Sequence, residues 1–211
     1  MKIVDLQKGL SVLDMRRNLF ILFILLTMIV SAGVFISLGN TWHNKPSVVF
    51  NKWYNISWYS VWIISGIFFS MWFYRAYSNL KLLGISKPKW DPYFAALSIW
   101  VPIANIYLPY AIMKELYTSS KVGDIEKGKV SRLPLVWWVT LILSVLLGWI
   151  ALTHTSGHVT YSEFKTGIVL HILRYILFAF SGLILTKLII NISKYQQSSF
   201  QYIQSANEST E

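Results

Sequence analysis

The chain has 211 residues, 55% hydrophobic and 13% charged, with a mean hydropathy of +0.49. A soluble domain carries about twice that share of charge, so the composition excludes an ordinary globular protein and points to an all-α integral membrane protein. The net charge of +10 is spread between apolar blocks, which argues against nucleic acid as a partner, and the lack of cysteine excludes disulfides, thiolate metal sites and cysteine nucleophiles.

Residues 1–17 are basic and place Ile3, Leu6, Leu10 and Leu13 at helical spacing. That suits a short interfacial helix; a frayed basic leader is the alternative. Residues 18–38 are continuously apolar behind Arg16 and Arg17, long enough to cross a hydrocarbon core of roughly 30 Å. The small residues Ser31, Ala32 and Gly33 lie inside this run and not after it, which favours an uncleaved first span over a signal peptide. Residues 39–55 are polar and end in Trp53 and Tyr54, which with Trp58 and Tyr59 suit a headgroup belt. Residues 56–74 form the second span. Arg75 opens R-A-Y-S-N-L-K-L-L-G, which continues the helix to Gly84 as its cap and puts Arg75 and Asn79 on one face.

After a basic turn comes W-D-P-Y-F-A-A-L-S-I-W-V-P-I-A-N-I-Y-L-P-Y-A-I-M-K-E-L-Y, residues 90–117. Asp91 and Pro92 make a helix start, since Asp caps and Pro suits the first helical position. Pro102 removes the N–H that would bond the Ser98 carbonyl, and Pro109 does the same to the Asn105 carbonyl. Asn105 is placed to cap a second half-helix. A straight span needs neither two internal prolines nor an amide, whereas a broken helix or re-entrant hairpin does.

Residues 114–132 are the most basic loop, 133–152 are another span, and 153–167 are polar with His154, His158 and Glu163. Residues 168–190 are the last span, with His171, Arg174 and Lys187 near its ends. From residue 193 the chain reads as a polar tail, disordered beyond Tyr202. The organisation is thus a basic N-terminus (1–17), a helical membrane domain (18–192) and a tail (193–211), without internal repeats.

Length alone would let 93–113 span, giving five spans; charge favours four. With both termini cytoplasmic and the central segment entering and leaving on that side, 15 of the 19 Lys and Arg residues lie inside. With five spans the split is 10 against 9 and the bias disappears.

The blocks W-F-Y-R-A-Y-S-N-L-K-L-L-G (72–84), Trp90, V-P-I-A-N-I-Y-L-P-Y-A-I-M-K-E-L-Y (101–117) and Trp137-Trp138 occur in that order. This resembles the bacterial membrane-protein family called domain of unknown function 4328, over roughly residues 50–155 and the last span. Arg75, Asn79, Leu80, Gly84, Pro102, Asn105, Pro109, Met113 and Glu115 match its pattern. Tyr107 and Leu108 stand where the family often has Trp and a basic residue, and Tyr117 replaces a frequent Trp. The resemblance implies a multi-helix membrane protein and carries no activity with it.

The candidate functional or structural motif is therefore Arg75, Asn79, Trp90, Pro102, Asn105, Pro109 and Glu115. Asn105 and the freed carbonyls could hold a cation or water, as broken helices do in transporters, or could form a packed kink. Arg75 and Asn79 could reach Glu115, either as a gate or headgroup site or as a structural pin. His154, His158, Glu163, His171 and His43 have ligand chemistry for zinc, but Gly157 interrupts the pattern, and no metal or cofactor is assigned. Arg174, inside the last run, is expected to snorkel. There are no paired carboxylates in a span, and no G-x-S-x-G, P-loop or H-E-x-x-H. The expected function is non-enzymatic interaction with the bilayer, another membrane protein or a second copy. A small transporter or channel centred on Asn105 is the alternative, and an intramembrane enzyme ranks third.

Overall fold

The computed structural model describes residues 2–41, 48–84, 88–101, 104–121, 131–155 and 160–208. Every regular element among them is helical: α1 (Lys2–Thr41), α2 (Val48–Leu83), α3 (Pro92–Leu97), a 3-10 turn (Ala104–Ile106), α4 (Leu108–Ser119), α5 (Leu133–Thr155) and α6 (Tyr161–Glu208). Two of these are long and apolar enough to cross a membrane, α5 and the stretch Tyr161–Ala206 of α6. The chain divides into two compact units, one of Met1–Ile21, Gly66–Leu135 and Leu185–Glu211, the other of Leu22–Ser65 and Val136–Ile184.

Helix ends follow local chemistry. Asp91 has extended backbone, and its Oδ1 accepts from the Tyr93 N–H at 2.9 Å, with Pro92 at the first helical position of α3. Gly84 closes α2 with φ +67°, where a Cβ would be strained, and its N–H reaches the Lys81 carbonyl at 3.3 Å. Thr160 and Glu163 form a capping box for α6. The Thr160 N–H and hydroxyl donate to Glu163 Oε2 at 2.7 and 2.8 Å, and the Glu163 N–H returns to Thr160 Oγ1 at 3.3 Å. Those donors hold the Glu163 carboxyl below its usual range.

Three boundaries differ from the sequence reading. Residues 2–17 are no separate interfacial helix but the first turns of α1, because Leu6, Leu10 and Leu13 enter the core of the first unit at 3%, 6% and 0% exposure. The polar tail does not begin at 193. The turns of α6 past that point bury Ser193, Gln196 and Ser199, while Lys194, Gln197 and Ser198 stay exposed. Pro109 does not interrupt a helix; it sits in the first turn of α4, where a missing N–H breaks no helical bond.

The buried faces repeat in steps of four and three. On α1 they run Leu6, Leu10, Leu13, then Phe20, Ile24, Thr27 and Ser31; on α2, Ser65, Phe69, Trp72, Ala76, Leu80 and Leu83. That is the seam of left-handed helix packing. The second half of the α1 seam is hydroxylic. Thr27 and Ser65 share a hydrogen bond at 2.9 Å, and each hydroxyl also reaches a carbonyl of its own helix, Phe23 and Val61. Small hydroxyl residues let helices approach closely without stranding a polar atom.

Candidate functional site

The site is built on the last turns of α2. A helix advances about 100° per residue, so Arg75 and Asn79 share one face while Tyr77 points away from them. Helix α4 buries Ile112, Met113, Leu116 and Tyr117, the last edge-to-face with Tyr195 of α6 at 5.7 Å, and reaches the Tyr77 face of α2 through Glu115. Glu115 therefore meets Tyr77 and neither Arg75 nor Asn79, which corrects the expected cluster. The Tyr77 hydroxyl donates to Glu115 Oε2 at 2.9 Å and accepts from the Trp90 N–H at 3.0 Å. The Lys89 N–H donates to Glu115 Oε1 at 2.7 Å. Burial, then the Glu115 carboxylate, pushes the Tyr77 hydroxyl above its ordinary range, and the Trp90 N–H opposes that. Both carboxylate oxygens of Glu115 are thus committed to holding the chain that leads into α3.

Trp90 contributes its backbone to this knot and its ring to α3, stacked on Phe94 at 5.4 Å with the Lys89 ammonium 5.2 Å from the ring centre. Trp100, past the end of α3, ties back to α2. Its indole N–H donates to Ser70 Oγ at 2.9 Å, and the ring lies against Gly66, where a Cβ would come within 2.9 Å of it. A side chain at Gly66 would displace the Trp100 ring from this seat.

On the other face of α2, Asn79 is fully buried and its Nδ2 donates to Gln196 Oε1 of α6 at 3.1 Å. Gln196 Nε2 donates in turn to the Ala76 carbonyl at 2.9 Å and Ser120 Oγ at 3.2 Å. Ser199 donates to the Ser120 carbonyl at 3.2 Å. One buried amide pair thereby joins α2, the end of α4 and α6. Arg75 Nε donates to the Gly9 carbonyl of α1 at 3.2 Å.

Asn105 lies half-buried in the 3-10 turn, its N–H on the Val101 carbonyl at 2.7 Å. It does not cap α4: the cap position is Tyr107, with no side-chain bond to the helix. Pro102 lies outside the described residues, as do His43 and His158. The structure gathers Arg75, Asn79, Trp90, Pro109 and Glu115 into the first unit with Asn105, but as separate contacts and not as one cluster. Among the described residues, no three His, Asp or Glu come together as a metal site.

Three participants escaped the sequence reading. Tyr77 was overlooked between Arg75 and Asn79. Gln196 was assigned to the tail, although it continues the buried spacing of Leu185, Leu188 and Ile192. Gly9 gave no signal of its own. In the second unit, Gly148 of α5 was missed as the socket for Arg174, whose Cδ and Nε lie 2.9 Å from where its Cβ would stand.

No curated protein and no solved structure matches the chain. One family does, over residues 40–194, and its description is domain of unknown function (DUF4328). That range takes in α2 from its first turn, the broken segment, α5 and most of α6, and stops two residues before Gln196. With well over half its length matched, from the Tyr77–Glu115 knot to the apolar part of α6, the chain belongs to the DUF4328 family.

Proposed function

We propose that this chain is an integral protein of the cell membrane that works by contact with lipid or with another membrane protein, without catalysing a reaction. It has four spans, α1, α2, α5 and α6, a re-entrant segment between α2 and α5, and both termini in the cytoplasm. The observation that carries the reading is how α5 and α6 sort their side chains. In α5 the buried positions include Trp137, Thr140, Ser144, Gly148 and Ala151, while Leu135, Val139, Leu143, Leu146 and Ile150 face outward. In α6, Val169, Leu173, Ile176, Phe180 and Leu183 make an outward stripe. Only 33% and 28% of their most apolar windows are buried, the reverse of a core helix in a soluble protein. Large apolar residues turned outward on both helices, with Thr140, Ser144, Gly148 and Ala151 turned inward on α5, fit a hydrocarbon solvent.

Two observations support the re-entrant arrangement. Each of α1, α2, α5 and α6 contributes residues to both units, whereas everything from Gly66 to Leu135 belongs to the first. The charge split of 15 against 4 points the same way. The reading as an interaction protein rests on Glu115, which is committed to the Tyr77 hydroxyl and the Lys89 N–H, and on the lack of a catalytic motif in the sequence.

The test is made on a chain with no native cysteine. Single cysteines at Ser119 or Ser131 should resist an impermeant thiol reagent in intact cells and react after permeabilisation; labelling from outside would overturn the re-entrant arrangement. Release from membranes by alkaline carbonate would overturn the integral reading. In reconstituted vesicles, Asn105→Leu should leave permeability to ions and small solutes unchanged; lost flux would favour the transporter.

A further inference from the structure

A cleft of about 350 Å³ opens in the first unit, lined by Asp5, Lys8 and Arg16 of α1 and Tyr74 and Arg75 of α2. Its two guanidinium groups are held by reciprocal bonds across the helix pair. Arg16 Nη1 donates to the Met71 carbonyl of α2 at 2.8 Å, and Arg75 Nε donates to the Gly9 carbonyl of α1 at 3.2 Å. Each head is fixed by a carbonyl of the opposite helix, and neither is neutralised. Among the described residues, Lys8, Arg16 and Arg75 make no ion pair; Asp5 is the one carboxylate in the lining, so three cations against one anion leave the cleft with a net charge of +2. Asp14 bonds Arg17 and Gln197, and Asp5 is exposed. Arg16 Nε is buried with no partner at all. Burial, and after it the charge of Arg16, lower the Arg75 pKa from its ordinary value, and Tyr74 opposes them.

Holding two like charges together, with the Arg16 Nε buried and unfilled, costs stability unless an anion completes the site. We propose that this cleft binds a phosphate-bearing anion, clasped between the Arg16 and Arg75 guanidiniums with Lys8 at the rim. Planar guanidinium forks match phosphate oxygens in pairs, and a rim ammonium adds a mobile point charge. The phosphate can come from a phospholipid headgroup or from a free phosphate in solution. The lipid source rests on the membrane reading above; the anion site itself does not.

The experiment uses the purified full-length chain in nanodiscs of a neutral, phosphate-free glycolipid (digalactosyldiacylglycerol) alone, of that glycolipid doped with phosphatidylglycerol, and of that glycolipid with millimolar inorganic phosphate. Thermal unfolding and native mass spectrometry are read in parallel. A rise in Tm and retained phosphatidylglycerol in the doped discs identify the headgroup, while a rise with inorganic phosphate in plain discs identifies a free anion. Either affinity should fall about tenfold or more in Arg16→Gln and Arg75→Gln, the loss of one charged hydrogen bond. It should fall several-fold, about three to five times, in Lys8→Gln, where an exposed side chain poses no folding risk. Gly9→Ala keeps every charge but sets a Cβ against Arg75 Nη2, and should also weaken binding. Lys194→Gln, exposed and outside the cleft, should leave affinity unchanged. No anion-dependent rise in the wild type, or equal binding by wild type and Lys8→Gln, would overturn the site. Failure of the chain to remain in washed membranes would overturn the membrane reading alone.

Discussion

The two units solve the problem of buried polarity in different ways. The second buries hydroxyls that bond mostly to carbonyls of their own helix, as Thr27, Ser31, Thr140 and Ser144 do. Such groups are satisfied before any neighbour arrives, so they permit close packing without dictating a partner. The first unit buries the amides of Asn79 and Gln196, which cannot satisfy themselves locally and must find each other. One region is tolerant of its neighbours; the other is specified by them.

The contrast breaks most sharply at Gln196. Gln196→Leu strands the Asn79 Nδ2 and takes a second bond from the Ala76 carbonyl and the Ser120 hydroxyl, which keep their helical partners, and should cost about 2 kcal/mol of stability in detergent unfolding. The double variant Asn79→Leu/Gln196→Leu should recover part of that loss, because removing both partners leaves less unpaired; additive losses would mean the amides are not coupled.

The Tyr77 knot gives a pH signature. A folded pKa raised above the ordinary value near 10 means the folded chain holds the proton more tightly. Its contribution is fully present below about pH 10 and is lost as pH climbs through the folded value, since the unfolded chain sheds its proton first. Wild type should therefore lose more stability above pH 10 than Tyr77→Phe does. Parallel curves would remove Tyr77 from the account.

The smallest effect belongs to the second unit. Ser65→Ala removes the bond to Thr27, yet Thr27 keeps the Phe23 carbonyl, so the cost should be about 0.6 kcal/mol. A loss as large as that of Gln196→Leu would erase the distinction between the units.

The sequence made some of this legible. Asp91-Pro92 and Gly84 announced their helix ends because each acts through local geometry. Apolar block length located the long helices because hydrophobicity is additive along a run. What stayed hidden depends on partners far along the chain. Whether Arg75 or Tyr77 meets Glu115 is decided by which face α4 covers, and periodicity within α2 cannot say that. Gln196 was hidden by composition: Gln and Ser in a short polar stretch read as tail, although they keep the spacing of Leu188 and Ile192. Asn105 was credited with a cap by residue type, while the 3-10 turn carries the chain on to Tyr107 before α4 begins.

The Asn79–Gln196 bond also sets a clock. Its partners are 117 residues apart in the chain. At ribosomal rates of about 5–20 residues per second, Asn79 waits on the order of ten seconds for Gln196 to be made. Gly9, by contrast, is already present when Arg75 emerges. The end of α2 is thus paired with α1 at once but keeps one face wet until α6 is translated and dries it.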